Sequence, residues 1–401
     1  MKEIALILPP WLPVPAVKGG AIETLMTLLA DENEKYSKVR FSIFSIYDKE
    51  ACFQSQKYTA SDFYFIRLTR SKIISKSVHF ASRVIRKLFV HDFILSEYYR
   101  KVFSICKKQR FDVIVAEGGE YFEFRRFSRQ FGREKLYLHI HCHLRLRPDF
   151  AGIFGNTISV SHYVNNAWIQ SCKGKNSENG QKNYVVVNAV DEDSFTKEVS
   201  PEEKKSIRSS LGIDDDDILL LYIGRIIEVK GVLELIQATL SINNPKVKLL
   251  VIGSINFAKD ETSPYLQKVT DLINANPQKI KQLGYIDNKK VYKYAKSADI
   301  RVLPSKWEEA GSLALVESLH AGIPIIITRS GGMPEVVSQD GAVIIEKNEN
   351  LVKNIANAVE SIISHPEKMM QMQKANAIQS QMFRKSQFYN AFVKVFSEKE
   401  T

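Results

Sequence analysis

Residues 300–317 read I-R-V-L-P-S-K-W-E-E-A-G-S-L-A-L-V-E, and the fold turns on how this stretch is divided. The apolar run Ile300–Leu303 stops at Pro304, as a short buried strand does. That leaves Glu309 on a loop at the carboxyl edge of a sheet. A helix then opens through Gly311, Ser312 and Leu313, with Glu317 inside it. Unpaired N–H groups at a helix start suit an anion, and carboxylates suit sugar hydroxyls, which need strong acceptors. A glutamate pair on its own is most often a solvated face. Here the chain continues through Ala321-Gly322 into Ile323–Thr328, then into Ser330-Gly331-Gly332-Met333-Pro334-Glu335, a second glycine-rich turn opening a helix. Strand, loop, helix, repeated, is the doubly wound α/β pattern, which binds ligands beyond the carboxyl ends of its strands.

The 401 residues exceed the size of one comfortable core, and 44% hydrophobic with 25% charged residues is ordinary for a globular chain. No apolar run approaches the roughly 20 residues of a membrane span. The start, Met1–Pro10, reads as a first strand and not as a signal peptide. Cys52, Cys106, Cys142 and Cys172 show no metal or redox spacing, so reduced thiols in a cytoplasmic protein are expected. Four consecutive aspartates, 214–217, read as a solvated turn, because a metal site would require them to fold back on one another.

The net charge of +11 is unevenly placed. Arg70 to Arg110 holds eleven Lys or Arg against Asp92 and Glu97. Val78, Ala81, Val84, Ile85, Leu88 and Phe89 recur near helical spacing among Arg83, Arg86 and Lys87. Such a helix suits either an anionic membrane surface or a core with a basic outer face. Nucleic acid is excluded as a partner for want of any binding module or stacking platform.

Alternation of strand and helix begins at Ile4–Leu8 and restarts at Ile218–Ile223, which predicts two Rossmann-like domains facing a cleft. The expected boundaries are 1–187 for the first and 188–370 for the second. Residues 371–401 are expected to form a C-terminal helix; its apolar residues Phe383, Phe388, Tyr389, Phe392, Val395 and Phe396 need a domain to pack on, with a return to the first as one option. Gly19 and Gly20 open a helix after the first strand and loop, where the missing Cβ atoms let a backbone approach a diphosphate. His139, His141 and His143 share a strand face by period two, and at about 7 Å spacing they lie too far apart to share an ion easily. Glu117 and Glu120 follow a strand; ordinary loop carboxylates are the plainer reading, acceptor contacts the sharper one.

The stretches G-R-I-I-E-V-K-G at 224–231, L-G-Y-I-D at 283–287, A-D-I-R-V-L-P-S at 298–305, E-A-G-S-L-A-L-V-E at 309–317 and A-G-I-P-I-I-I-T-R-S-G-G-M-P-E at 321–335 together resemble the family 4 retaining glycosyltransferases, also grouped as glycosyl transferases group 1. The resemblance implies the GT-B fold and sugar transfer from a nucleotide-diphosphate-sugar, of the UDP or GDP kind, with no metal or other cofactor. It places Arg225 and Lys230 on the donor diphosphate, Glu317 on the ribose hydroxyls, and Glu309 on the transferred sugar. Gly311, Ser312 and Leu313 would offer backbone N–H groups to it, and Gly284, Tyr285 and Ile286 would grip the base through their backbone. One histidine stands near the anomeric carbon in such families; His141 fits best, His143 is the alternative, and His139 suits the core. Ala310-Gly311-Ser312 replaces the commoner G-F-G, so sugar preference does not carry over. A fork and a point charge at a strand end independently suit two phosphates.

The function expected is retaining transfer to an acceptor hydroxyl, saccharide or lipid-linked, in bacterial surface polysaccharide, lipopolysaccharide or glycolipid assembly. The location expected is cytoplasmic, with peripheral contact at the inner face of the plasma membrane. The rival is a catalytically silent nucleotide-sugar-binding module on the same fold.

Overall fold

The computed structural model describes residues 1–69, 94–147, 150–173, 180–254 and 263–397. The chain divides into two compact units, Met1–Asn188 with Lys385–Thr401, and Ala189–Arg384.

The first unit is built on β1 (Lys2–Ile7), β2 (Val39–Ile46), β3 (Ser61–Ile66), β4 (Val113–Ala116), β5 (Leu136–Ile140), β6 (Asn156–Ser159) and β7 (Lys182–Val185). They lie side by side in the order β3-β2-β1-β4-β5-β6-β7, every pair parallel. Parallel strands are covered on both faces, which is why they read as near-continuous apolar runs; Ile4 to Leu8 are all fully buried. The order runs outward in both directions from β1 and β4, so the loops after these two strands diverge and leave a crevice at their carboxyl ends. The loop after β1 reaches Gly20 and the helix Ala21–Tyr36, whose buried stripe includes Leu25, Met26 and Leu29. The residue after β4 is Glu117.

The second unit repeats the scheme with β8 (Ile218–Ile223), β9 (Val247–Ile252), β10 (Ile280–Leu283), β11 (Ile300–Leu303), β12 (Ile325–Thr328) and β13 (Ala342–Ile345). Their order is β10-β9-β8-β11-β12-β13, again parallel throughout. Its switch point lies between β8 and β11. The loops that leave there are 224–231, one of the stretches on which the family resemblance rests, and 304–312, which joins two others, 298–305 and 309–317.

The C-terminal stretch differs from the single helix expected. The helix Pro366–Gln379 gives way to a 3₁₀ turn, Ser380–Phe383, and an extended Arg384, and a new helix runs Lys385–Val395. No strong helix breaker marks this point in the sequence. What changes there is the packing partner: Lys385 onward belongs to the first unit. Tyr389 donates its hydroxyl to Asn33 Oδ1 at 2.6 Å and accepts from the Lys38 N–H at 3.2 Å. Phe392, fully buried, meets the rings of Phe41 and His139 at 6.3 and 5.7 Å between centroids. Burying one such ring contributes about 1.5–3 kcal/mol.

The basic amphipathic pattern at 78–89 lies outside the described residues. The described end of that stretch, the helix Glu97–Cys106, buries Tyr98, Tyr99, Val102, Phe103 and Cys106, as a core-facing helix does. Among the described residues no helix is long and apolar enough to cross a membrane. All four cysteines are free.

Candidate functional site

In the second unit the carboxyl ends of β8 and β11 gather most of the residues singled out above. Arg225 follows β8 immediately after Gly224, its side chain exposed and without a side-chain partner among the described residues. Its carbonyl accepts from the Tyr222 hydroxyl at 2.8 Å, which pins the backbone there. Lys230 ends the same loop and donates to Glu309 Oε1 at 2.5 Å, with the two side chains 25% and 14% exposed. Ser305 donates to that same oxygen at 2.6 Å. The cation expected on phosphate and the carboxylate expected on sugar therefore touch. An ammonium has three donors, so Lys230 retains two for an incoming anion.

The loops are held close by backbone contacts. Gly231 has φ +71°, and a Cβ there would lie 2.0 Å from the Pro304 carbonyl, so only glycine lets the loop press on the end of β11. The N–H groups of Lys306 and Trp307 both donate to the Val229 carbonyl, at 2.8 and 3.1 Å. From the other side, Gly332 N–H donates to the Glu309 carbonyl at 2.7 Å. Glu308, the carboxylate next to Glu309, accepts from Gly331 N–H at 2.6 Å and pairs with Lys347. Glu308 thus braces the turn, leaving Glu309 as the carboxylate on the Lys230 side.

The helix of the 309–317 stretch runs Leu313–Ala321, starting later than the first turn expected. Ser312 is its N-cap, its hydroxyl accepting from Leu315 N–H at 3.3 Å, and Gly322 ends it in the left-handed region. Glu317 is half-buried. Burial pushes its carboxyl up to about 7, against the pull of the Arg301 charge. Arg301, a residue passed over in the sequence, is 1% exposed within β11. Burial pulls its guanidinium down to about 10, while Glu317 and Tyr222 raise it. It donates to the Ile223 carbonyl at 3.2 Å, and its Nε has no partner among the described residues. The buried Tyr222 hydroxyl feels the charges of Arg301, Glu309 and Arg225 together. Arg225, Lys230, Glu309, Arg301 and Glu317 therefore form one electrostatic group. A charged residue in the apolar run I-R-V-L was the signal that Arg301 needed a purpose.

The structure does not bring Gly284, Tyr285 and Ile286 into this group. They follow β10, the edge strand, which β9 separates from β8. Tyr285 is 54% exposed, and Ile286 packs on the core near Leu219 and Leu221.

In the first unit Gly19 and Gly20 have φ +72° and +102°. A Cβ on Gly20 would lie 2.1 Å from Glu23 Oε2, whereas Gly19 has open space around it. Glu23 is 4% exposed, and burial raises its carboxyl above the ordinary range. The helix start thus already carries an acidic group, which a bound phosphate would have to accommodate.

At the ends of β4 and β5 the histidine geometry departs from the backbone estimate. β5 ends at Ile140, so only His139 lies within the strand. The rings of His139 and His141 tilt together to 4.0 Å between centroids, far closer than 7 Å. Both contact Glu117 Oε2, from His139 Nδ1 at 2.8 Å and His141 Nε2 at 2.9 Å. Glu117 is fully buried and so is not an ordinary loop carboxylate. Burial alone would raise its carboxyl, but the two imidazoles outweigh it and hold the group down near about 2. His141 is pulled down to about 4, chiefly by burial and then by His139, against the opposing Glu117 bond. It is therefore neutral near pH 7. His143 turns instead to the Tyr163 hydroxyl at 3.2 Å.

Ligand atoms of Glu117, His139 and His141 lie within 4.8 Å of one another, as do those of Asp214, Asp216 and Asp217. Both convergences run against the sequence expectation. The O···N separations of the first cluster are hydrogen-bond lengths, shorter than the roughly 3.3 Å between two ligands of a tetrahedral zinc. In the second, Asp217 accepts from Asp214 N–H at 2.9 Å and Asp216 pairs with Lys246, as a charged turn does.

Two all-parallel doubly wound units of this kind define the GT-B fold class. Residues 203–379, most of the second unit, match the glycosyl transferases group 1. The chain is 31% identical over 183 residues to an uncharacterized glycosyltransferase of Methanocaldococcus jannaschii, covering 45% of this chain and 44% of that one. It is 26% identical to spore coat protein SA of Bacillus subtilis, over 93% of each. The fold superposes on Anabaena HepE, solved in complex with UDP-glucose, with a TM-score of 0.72 at 17% identity, covering 98% of this chain and 99% of that chain.

Proposed function

We propose that the protein transfers a sugar from a nucleotide-diphosphate-sugar to an acceptor hydroxyl, with retention at the anomeric carbon. The observation that carries this is the group at the β8/β11 switch point: two cations, Arg225 and Lys230, beside two carboxylates, Glu309 and Glu317. Arg225 offers a planar fork and Lys230 a point charge, which suit the two phosphates of the donor. As the sugar–phosphate bond breaks, negative charge grows on the leaving diphosphate. Both cations stabilise it in place, and no step of the scheme calls on a metal. Lys230 also aligns Glu309, whose second oxygen is placed to accept from hydroxyls of the transferred sugar. Glu317, when ionised, accepts from the ribose hydroxyls, and the buried Arg301 favours that ionised form.

The leaving phosphate takes the acceptor proton on the face it departs from, so that retention needs no separate base. UDP-sugars are the first donors to test, because HepE is held with UDP-glucose. A lipid-linked or saccharide acceptor at the cytoplasmic face of a membrane fits the eleven cations between Arg70 and Arg110.

The test is a transfer assay with UDP- and GDP-sugars and lipid or saccharide acceptors, the product's anomeric configuration being read by NMR. A product with the donor's own configuration is expected. An inverted product would contradict the mechanism, and a protein that binds donors yet neither transfers nor hydrolyses any of them would be the silent binding module.

A further inference from the structure

The first unit buries a carboxylate where the sheet order reverses. Register continues past the paired residues Ala116 and Leu138, which sets Glu117 beside His139. Glu117 is wholly inside, and its Oε2 sits within hydrogen-bond reach of both rings. An ionised carboxylate only accepts, so each facing ring nitrogen carries a proton. For His139 that nitrogen is Nδ1, and for His141 it is Nε2.

This settles the chemistry of the remaining nitrogen of His141. A neutral imidazole holds one proton, and Glu117 keeps it on Nε2. Nδ1 is then a bare lone pair. It has no protein partner among the described residues and does not rank among the buried unpartnered atoms. His141 has 10% of its side chain exposed, whereas His139 and Glu117 have none. The only part of this network open to a ligand is therefore on His141. His139, wedged between Glu117 and the Phe392 ring, limits how far the carboxylate can shift.

We propose that Glu117 is a positioning residue that locks His141 as the Nε2–H tautomer, so that Nδ1 accepts a hydrogen bond from a sugar hydroxyl at the carboxyl edge of the first sheet. The network makes His141 an acceptor and excludes it as a donor, which selects a hydroxyl over a carbonyl or phosphate oxygen at that point. The proposal rests on the reading of the protein as a sugar transferase in which His141 meets substrate. The hydroxyl could belong to the donor sugar or to the acceptor, and the two are separable.

The test uses the full chain with ¹⁵N-labelled histidine and reads each imidazole tautomer from two-bond proton–nitrogen spectra at pH 7; His141→Gln assigns the signal among the eight histidines. His141 is expected as a single neutral form with the proton on Nε2. A proton on Nδ1, a mixture like that of free imidazole, or a stoichiometric metal on Nε2 in the wild-type protein would overturn the proposal, whether or not any variant folds. In Glu117→Leu, which leaves no acceptor for the ring N–H, the tautomers are expected to mix, with kcat lower by about tenfold, the worth of one hydrogen bond. A tautomer unchanged in that variant also overturns the proposal. A rise in KM for the nucleotide-sugar assigns the hydroxyl to the donor, and a rise for the acceptor assigns it there. Mixed tautomers with undiminished transfer would keep Glu117 as the positioning residue and remove His141 from the substrate.

Discussion

Lys230→Ala is expected to lower kcat/KM for sugar transfer by about 10²–10³-fold, the loss seen when one preorganised donor at a developing negative charge is removed. Two effects combine. The diphosphate loses a cation that strengthens its hold as the sugar leaves. Glu309, 14% exposed and bonded to Lys230 at 2.5 Å, keeps only Ser305 as a partner for Oε1 and is free to turn from the sugar. The effect should therefore fall on kcat as well as on KM, and Lys230→Arg should restore little, since a planar fork cannot occupy the place of a compact ammonium. Steady-state kinetics with saturating acceptor measure both parameters. A change below threefold would remove Lys230 from the transition state.

Affinity for the nucleotide-sugar is expected to rise by about tenfold between pH 6 and pH 8, because the Glu317 carboxyl ionises near about 7. A hydroxyl donates to the carboxylate far better than to the protonated acid. The phosphates of a nucleotide-sugar are diesters without a second proton to lose, so they do not titrate in this range. Glu317→Gln should bind more weakly at pH 8 and show a flat profile. The stability of the empty protein moves the other way. A carboxyl raised in the folded state above its ordinary value of 4.5 binds more protons there than in the unfolded chain. Its contribution to stability is thus full below about 4.5 and declines as pH rises towards about 7. Binding must accordingly be measured by calorimetry at each pH, and not inferred from melting temperature alone. A profile that stays level in the wild type would contradict the role given to Glu317.

The two-unit α/β fold was legible because parallel strands advertise themselves. The bounds of β8, β9 and β13 coincide with the largely apolar runs Ile218–Ile223, Val247–Ile252 and Ala342–Ile345, each cut off by polar or glycine residues. The β8/β11 group was legible for a related reason: a residue placed just after a strand end must lie at the sheet's carboxyl edge. What escaped was whatever depends on side-chain reach. Period two gives the spacing of His139 and His141 backbones, but their χ angles tilt both rings onto one oxygen of Glu117. Loop position made Glu117 look like a surface carboxylate, and only the packing around the sheet shows it buried. The aspartates 214–217 converge because the chain turns on the Asp214–Asp217 hydrogen bond, which spacing along the sequence does not reveal. Likewise, Arg384 is an unremarkable residue for a helix, and the break there follows from where Phe383 and Phe388 find their burial.

The most direct measurement is a calorimetric titration of UDP- and GDP-sugars into the wild-type protein and into Arg225→Ala. Arg225 is exposed and its side chain has no partner among the described residues, so the substitution removes a ligand contact without disturbing a packed one. One nucleotide-sugar is expected to bind the wild type, with affinity lost by about 10- to 150-fold in the variant, the value of a charge-assisted hydrogen bond of about 1.5–3 kcal/mol. Equal affinity in the two proteins would contradict a diphosphate held at the β8/β11 edge.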